Sequence, residues 1–389
     1  MQQTAAEEAS AADRKSLMIV GAFPPPGSRI FGGVITSCRL LLQSSLPQRA
    51  MLTLVDSTQV SNPPPPLYVR AGLAFVRCLK FVAAFERVRP DAVLLFCSAG
   101  ASIVEKGAMA WYARLRGRPA LLFPRGGRVL GAGGIGRVWL RGMCGGAAMI
   151  LCQGPAWQRF ATAAMGFHPA RCPLVPNWSA TPDLLQLGRE RTERERARVE
   201  LLFVGWVEPE KGIRELLEAF RRIARDRDVG LHIVGDGRGM AFARDFVANS
   251  KLQSRVRFSG WLAAEDLPAA YREADVLVLP SWAEGLPNAM IEAMAAGLAV
   301  AVTRVGNVPD VVRDRVEALL VEPRDVDGLA SALAVLVDDS ALRTGLGKNG
   351  HALAAREFAV EAAVDRILRV VNQVCYEYGI SACHCDGER

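Results

Sequence analysis

Ser281-Trp-Ala-Glu-Gly-Leu-Pro-Asn-Ala-Met-Ile-Glu-Ala-Met294 follows an apolar run, Asp275-Val-Leu-Val-Leu279. The run reads as a buried strand, and Pro287 suits the first turn of a helix, so a strand–loop–helix unit is expected. The first amides of such a helix have no partner within it, and they attract a diphosphate or sugar hydroxyls. Glu284 lies in the loop and Glu292 lies in the helix, eight positions later. Carboxylates do not bind phosphate, but each accepts two hydroxyl hydrogen bonds, so a pair beside an anion site suits a hydroxyl-rich partner. Spacing alone leaves equal room for a helix-start acid and one solvated helix acid.

Working outward, the same alternation continues. Upstream, strands read over 199–204, 230–234 and 256–259, with helices over 211–225, 238–249 and 266–273. Downstream come strands at 299–302 and 318–321, then helices over 325–338, 339–356 and 361–378. The first half repeats the theme. Strands are expected at 17–23, 50–56, 92–97, 120–123 and 147–152, with helices over 34–43 and 67–89. Solid apolar strands alternating with helices mean parallel sheets covered on both faces. A charged segment, Arg189 to Arg198, follows Pro176, Asn177 and Pro182 and separates the halves. The expectation is therefore an α/β chain with two doubly wound, Rossmann-like domains, 1–180 and 199–360, and a last helix with a tail, 361–389. Ligands of such sheets bind at the carboxyl ends of the strands, which puts the site in the cleft between the domains.

Composition narrows the class. The 389 residues are 50% hydrophobic and 22% charged, as in globular chains. No run reaches the ~18 uncharged apolar residues of a spanning helix. Met1 to Ser16 is polar and carries Glu7, Glu8 and Asp13, unlike a secretory signal. Nine scattered cysteines read as reduced cytosolic thiols, and Cys383-His384-Cys385 fits no zinc spacing. Residues 1–180 carry 20 Lys+Arg against 7 Asp+Glu, and residues 181–389 carry 27 against 33, so the halves face different partners. The basic half holds no nucleic-acid motif, and nucleic acid is not expected as a partner. No DxD-like acidic pair marks a strand end, so no metal is expected. The four histidines form no catalytic cluster, and His232 reads as core.

The stretch Glu284-Gly-Leu-Pro-Asn288 and Glu292-Ala-Met-Ala-Ala-Gly297 resembles the E-x7-E motif of glycosyltransferase family 4, retaining enzymes of the GT-B fold. The likeness extends back through Phe203-Val-Gly205, Glu210-Lys-Gly212 and Leu231-His-Ile-Val-Gly-Asp-Gly237, and forward to Val305-Gly-Asn-Val-Pro-Asp310. These motifs stand in family order over most of residues 200–325. The first 180 residues match in architecture and in the Gly32-Gly33 loop.

That resemblance implies a retaining, metal-independent transfer of a sugar from a nucleotide-sugar to a hydroxyl of a glycan or lipid-linked acceptor, in bacterial cell-surface polysaccharide synthesis. The nucleotide-sugar is a substrate, and no cofactor is implied. By resemblance, Glu292 holds the ribose hydroxyls and Glu284 a hydroxyl of the transferred sugar. The backbone of Gly285, Leu286, Pro287 and Asn288 lines the sugar and phosphates, and Lys211 meets the diphosphate. Gly32 and Gly33 let the backbone approach the phosphates from the other domain. The family's usual arginine after Gly205 is replaced by Trp206, with Arg29 as a substitute cation. The family's histidine after the fourth strand is absent, and Arg125 stands in that loop. A nucleotide-sugar-binding scaffold without turnover and a sugar-nucleotide epimerase share the architecture. The final helix is expected to cross back to the first domain. The stretch 67–89 sets Arg70, Arg77, Lys80 and Arg87 on one helical face, which suits a cytoplasmic chain resting peripherally on an anionic membrane surface.

Overall fold

The computed structural model describes residues 14–25, 32–59, 65–98, 101–125, 134–191 and 198–380. It divides into two compact units, one running to Val175 and resuming at Ala363, the other Pro176–Ala362. Each is built on a parallel sheet.

The first unit contains β1 (Ser16–Gly21), α1 (Gly33–Gln43), β2 (Met51–Asp56), α2 (Leu67–Val88), β3 (Ala92–Cys97), α3 (Ala101–Leu115), β4 (Ala120–Pro124), α4 (Gly134–Cys144) and β5 (Met149–Ile150). The strand order is β2-β1-β3-β4-β5, and β1 pairs β3 with Ile19 opposite Leu94. Every residue of β3 and β4 is buried, which is why both read as unbroken apolar runs. The core joins Met18, Val20, Val93, Leu95 and Leu122 to Phe81 and Phe85 of α2 and to Trp157.

The second unit contains α5 (Pro182–Glu190), β6 (Val199–Val204), α6 (Ile213–Ile223), β7 (Val229–Val234), β8 (Val256–Gly260), α7 (Leu267–Glu273), β9 (Val276–Leu279), α8 (Asn288–Ala295), β10 (Ala299–Thr303) and β11 (Leu319–Val321). Its order is β11-β10-β9-β6-β7-β8, with every pairing parallel. The order reverses beside β6 and β9, and a switch point of that kind is where doubly wound sheets open for a ligand. The last helix, α9 (Val360–Glu377), joins the first unit from Ala363. There it buries Val364, Ile367, Val371 and Val374, and Asp365 pairs with Arg49 at 2.6 Å.

Two stretches differ from the sequence expectation. Residues 182–190, read as linker, form α5, capped by the Thr181 hydroxyl accepting from the Leu184 amide at 3.4 Å. Its Leu184 and Leu187 are buried, and Gly188 is pressed so close to α8 that a Cβ would lie 2.2 Å from the Ala295 carbonyl oxygen. The basic face over α2 is also divided. Arg77 turns inward and grips Glu105 of α3 with two bonds of 2.8 Å, leaving Lys80 and Arg87 outside. Residues 101–115 and 134–144, left unassigned from sequence, are helices, and the alanines of the first carry little amphipathic signal.

Candidate active site

The loop after β9 is built by close approaches that only glycine permits. Lys211 ends a 3-10 turn, Pro209–Lys211, that follows β6. Gly212 behind it has φ +73°, and a Cβ there would lie 2.0 Å from the Pro280 carbonyl oxygen. Gly306, after β10, has φ +57° and would put a Cβ 2.0 Å from the Glu284 carbonyl oxygen. The loops after β6, β9 and β10 therefore meet at backbone distance. The Trp282 amide donates to the Glu210 carbonyl at 2.9 Å and closes the seam.

Lys211 and Glu284 meet across that seam as an ion pair. The same Glu284 oxygen accepts from the buried Ser281 hydroxyl at 2.8 Å, and the Ser281 carbonyl accepts from Thr303 at 2.6 Å. Glu284 is thus fixed from two sides while its second oxygen stays available to a hydroxyl. The next segment is held as firmly. Buried Asn177 donates at 2.7 Å to both the Leu286 carbonyl and the Asn288 side-chain oxygen. Ser179 donates to the Asn288 carbonyl at 3.1 Å, and Asn307 donates to the Gly285 carbonyl at 3.0 Å. Pro287 is the N-cap, and α8 begins at Asn288. One turn into α8, Glu292 accepts from the Tyr271 hydroxyl at 2.7 Å. Tyr271 is fully buried in α7, and burial first, then the Glu292 charge, pushes its phenol well above its ordinary pKa. It stays a donor that points the carboxylate.

So the structure brings Lys211, Glu284, the Gly285–Asn288 turn and Glu292 onto one loop–helix junction at the carboxyl ends of the strands. Sequence reasoning missed the supports, Ser281, Tyr271, Asn177, Ser179 and Asn307. Ser281 and Asn307 were at hand within the stretches 281–294 and 305–310; the others carry no local signal. It also missed Trp261, directly after β8, whose ring stands 4.9 Å from that of Trp206 at 44°. The position where the family usually has an arginine is here half of an aromatic pair.

In the first unit, Arg125 leaves β4, lies 4.9 Å over the Phe123 ring and donates to the Ser37 hydroxyl of α1. Ser37 in turn donates to the Gly33 carbonyl at 2.8 Å. Burial lowers the Arg125 guanidinium to about 9, with the nearby Cys38 opposing the shift. Gly32 precedes α1, and among the described residues a Cβ there would meet nothing within 4 Å. Arg125, Gly33 and Gly32 thus gather at the start of α1. Arg29 and the Cys383-His384-Cys385 segment lie outside the described residues. Among the described residues no group of three His, Cys, Asp or Glu side chains is placed to hold a metal. A cavity of about 490 Å³ lies at the opposite, amino ends of β6 to β8, lined by His232, Arg257 and Glu273 among others. It lacks Lys211, Glu284 and Glu292, and strand carboxyl ends, not amino ends, carry ligands in these sheets.

Comparison with known proteins agrees with this geometry. Residues 198–339 match the model of glycosyl transferases group 1. The lipopolysaccharide core biosynthesis glycosyltransferase LpsE of Rhizobium meliloti is 29% identical over 198 residues, 51% of this chain and 57% of that protein. The 2-deoxystreptamine glucosyltransferase of Streptomyces kanamyceticus is 35% identical over 173 residues, 44% of this chain and 45% of that protein. The match thus spans about half the length of these relatives. In structure, the sucrose-phosphate synthase of Thermosynechococcus elongatus superposes with a TM-score of 0.75 at 20% identity, over 94% of this chain and 100% of that one. HepE of Anabaena, in complex with UDP-glucose, gives 0.69 at 18% identity, over 92% of this chain and 100% of that one. The fold is accordingly the α/β GT-B fold. With its Lys211–Glu284 seam and its Glu292-bearing helix, the segment 198–339 is similar to the glycosyl transferases group 1 family.

Proposed function

We propose that the chain transfers a sugar from a nucleotide-sugar to a hydroxyl of a glycan or lipid-linked acceptor, with retention at the anomeric carbon. The carrying observation is the seam of Lys211, Glu284 and Ser281 beside the start of α8. Lys211 supplies a positive charge where the departing diphosphate gains negative charge, and the helix start adds its amides. Glu284 accepts from a hydroxyl of the sugar, and Glu292, aimed by Tyr271, accepts from the ribose. HepE is named in complex with UDP-glucose, and this supports a nucleotide-sugar as the donor.

The acceptor oxygen bonds to the anomeric carbon on the face the diphosphate leaves. The carbon–oxygen bond to phosphate breaks with its electron pair going to the diphosphate, and the acceptor proton passes to the released phosphate oxygen. No protein nucleophile and no cofactor enters this scheme. Arg125 cannot serve as a base because it keeps its proton; with Gly32 and Gly33 it is suited to a phosphate or acceptor group. The relatives, named as glycosyltransferases, support transfer over the scaffold and the epimerase. LpsE is named for lipopolysaccharide core biosynthesis, and this supports a role in surface polysaccharide synthesis.

Nucleotide release from a panel of nucleotide-sugars tests the reading. One donor should be consumed, at the same rate in excess EDTA. Lys211→Ala should lower kcat by about 10²–10³, the usual cost of one lost oxyanion donor. Full activity in Lys211→Ala, or loss in EDTA restored by Mn²⁺, contradicts the scheme.

A further inference from the structure

The outward side of α2 is apolar, where a helix covering a sheet is ordinarily polar. Tyr68 is 78% exposed, Phe75 65%, Leu79 54% and Val76 46%, while the opposite side buries Phe81 and Phe85. Lys80 and Arg87 border the exposed strip. α3 packs between α2 and α4 and extends the same character with Leu115, 80% exposed, and Trp111; α4 adds Val138, 75% exposed, and Trp139. Arg114, Arg116, Arg137 and Arg141 are exposed beside them. These three helices contain two acids. Glu105 is buried against Arg77, and Glu86 is held by Arg116 at 2.5 Å and by the Tyr112 hydroxyl at 2.6 Å. The layer therefore presents apolar and aromatic side chains set among cations, with its acids already neutralised.

We propose that the outer face of α2, α3 and α4 docks on an anionic lipid bilayer. Phe75, Val76 and Leu79 enter the boundary between headgroups and acyl chains. Tyr68, Trp111 and Trp139 have amphipathic rings, which suit headgroup depth. Lys80, Arg87 and Arg114 meet lipid phosphates. A second copy of the chain is the poorer occupant, since a self-complementary contact would set the same cations against one another. The proposal concerns this surface alone and does not depend on the transfer chemistry.

The test is sedimentation of the full chain with vesicles of phosphatidylcholine, alone or mixed with phosphatidylglycerol, in low and high salt. The chain should pellet with the anionic vesicles, less in high salt, and scarcely with the neutral ones. Each cation near an anionic leaflet is worth about fivefold in partition, so Lys80→Gln with Arg87→Gln should lower it about 25-fold. Phe75→Ser with Leu79→Ser removes side chains worth about tenfold each when fully taken from water, so roughly 100-fold should be lost. Both pairs are surface changes, and an unchanged melting temperature verifies the fold. Equal pelleting with both vesicle types, pelleting with neither, or no change in the serine variant overturns the proposal. So does a dimer in solution that the serine variant makes monomeric, which would assign the face to self-association.

Discussion

Lys211 has two claims on its single charge. The ammonium pairs with Glu284, and both side chains are partly exposed, at 30% and 16%. Pairs of that kind contribute little, about 0–1 kcal/mol, so in the proposed scheme an arriving diphosphate draws the ammonium away at small cost. Glu284 is then left to a sugar hydroxyl, still fixed by Ser281. Glu292 is different because its partner, Tyr271, is neutral and buried. A charge-assisted hydrogen bond is worth about 1.5–3 kcal/mol. Glu292→Gln should therefore weaken nucleoside diphosphate binding roughly 10- to 150-fold by calorimetry. Tyr271→Phe should cost less than Glu292→Gln, because it removes the orientation and not the acceptor. Unchanged affinity in Glu292→Gln would take the residue out of the site.

At the scale of elements, β7 and β8 carry a pH sensitivity unrelated to the site. His232 is 5% exposed and pairs with Ser259 at 2.7 Å and with Arg257 at 2.9 Å. Arg257 can only donate, so Nδ1 of His232 accepts and Nε2 carries the proton. Burial, then the Arg257 charge, lowers this histidine to about 4 from its ordinary 6.5. In that window the unfolded chain binds the proton and the folded chain does not, so stability falls on acidification from about 6.5 to about 4. Chemical denaturation across this range should show the loss, and His232→Gln should flatten it. An unchanged slope in the variant would assign the acid sensitivity to other groups. Sequence spacing located β7 and β9 because buried parallel strands are nearly continuous apolar runs. It did not locate α3, where Ala110 and Ala113 are buried and leave little contrast between faces. Nor did it foresee α5, whose two buried leucines stand among charged residues.

For the whole molecule, the reading from sequence was sharpest where covalent spacing and chemistry coincide. Lys211-Gly212 and the stretch from Glu284 to Glu292 announce themselves by their spacing, and backbone contact requires the glycines at 212 and 306. The residues that aim the site come from distant positions, Asn177, Tyr271 and Asn307, and only folding brings them together. The excess of basic residues in the first 180 was legible, but not that Arg77 spends its charge on Glu105, nor that the outward strip of α2 is apolar. These observations describe a braced loop–helix junction in the second unit and a cationic, apolar outer layer on the first.

The measurement that tests the account most directly is proton NMR of the transfer reaction as it proceeds, with the nucleotide-sugar that the chain consumes. The anomeric coupling of the first product formed reports which face of the sugar was attacked. The account predicts that an α-linked donor gives an α-linked product from the earliest time point, with nucleoside diphosphate released in equal amount. A β-linked first product, or nucleotide release with no sugar transferred to any acceptor, would contradict it.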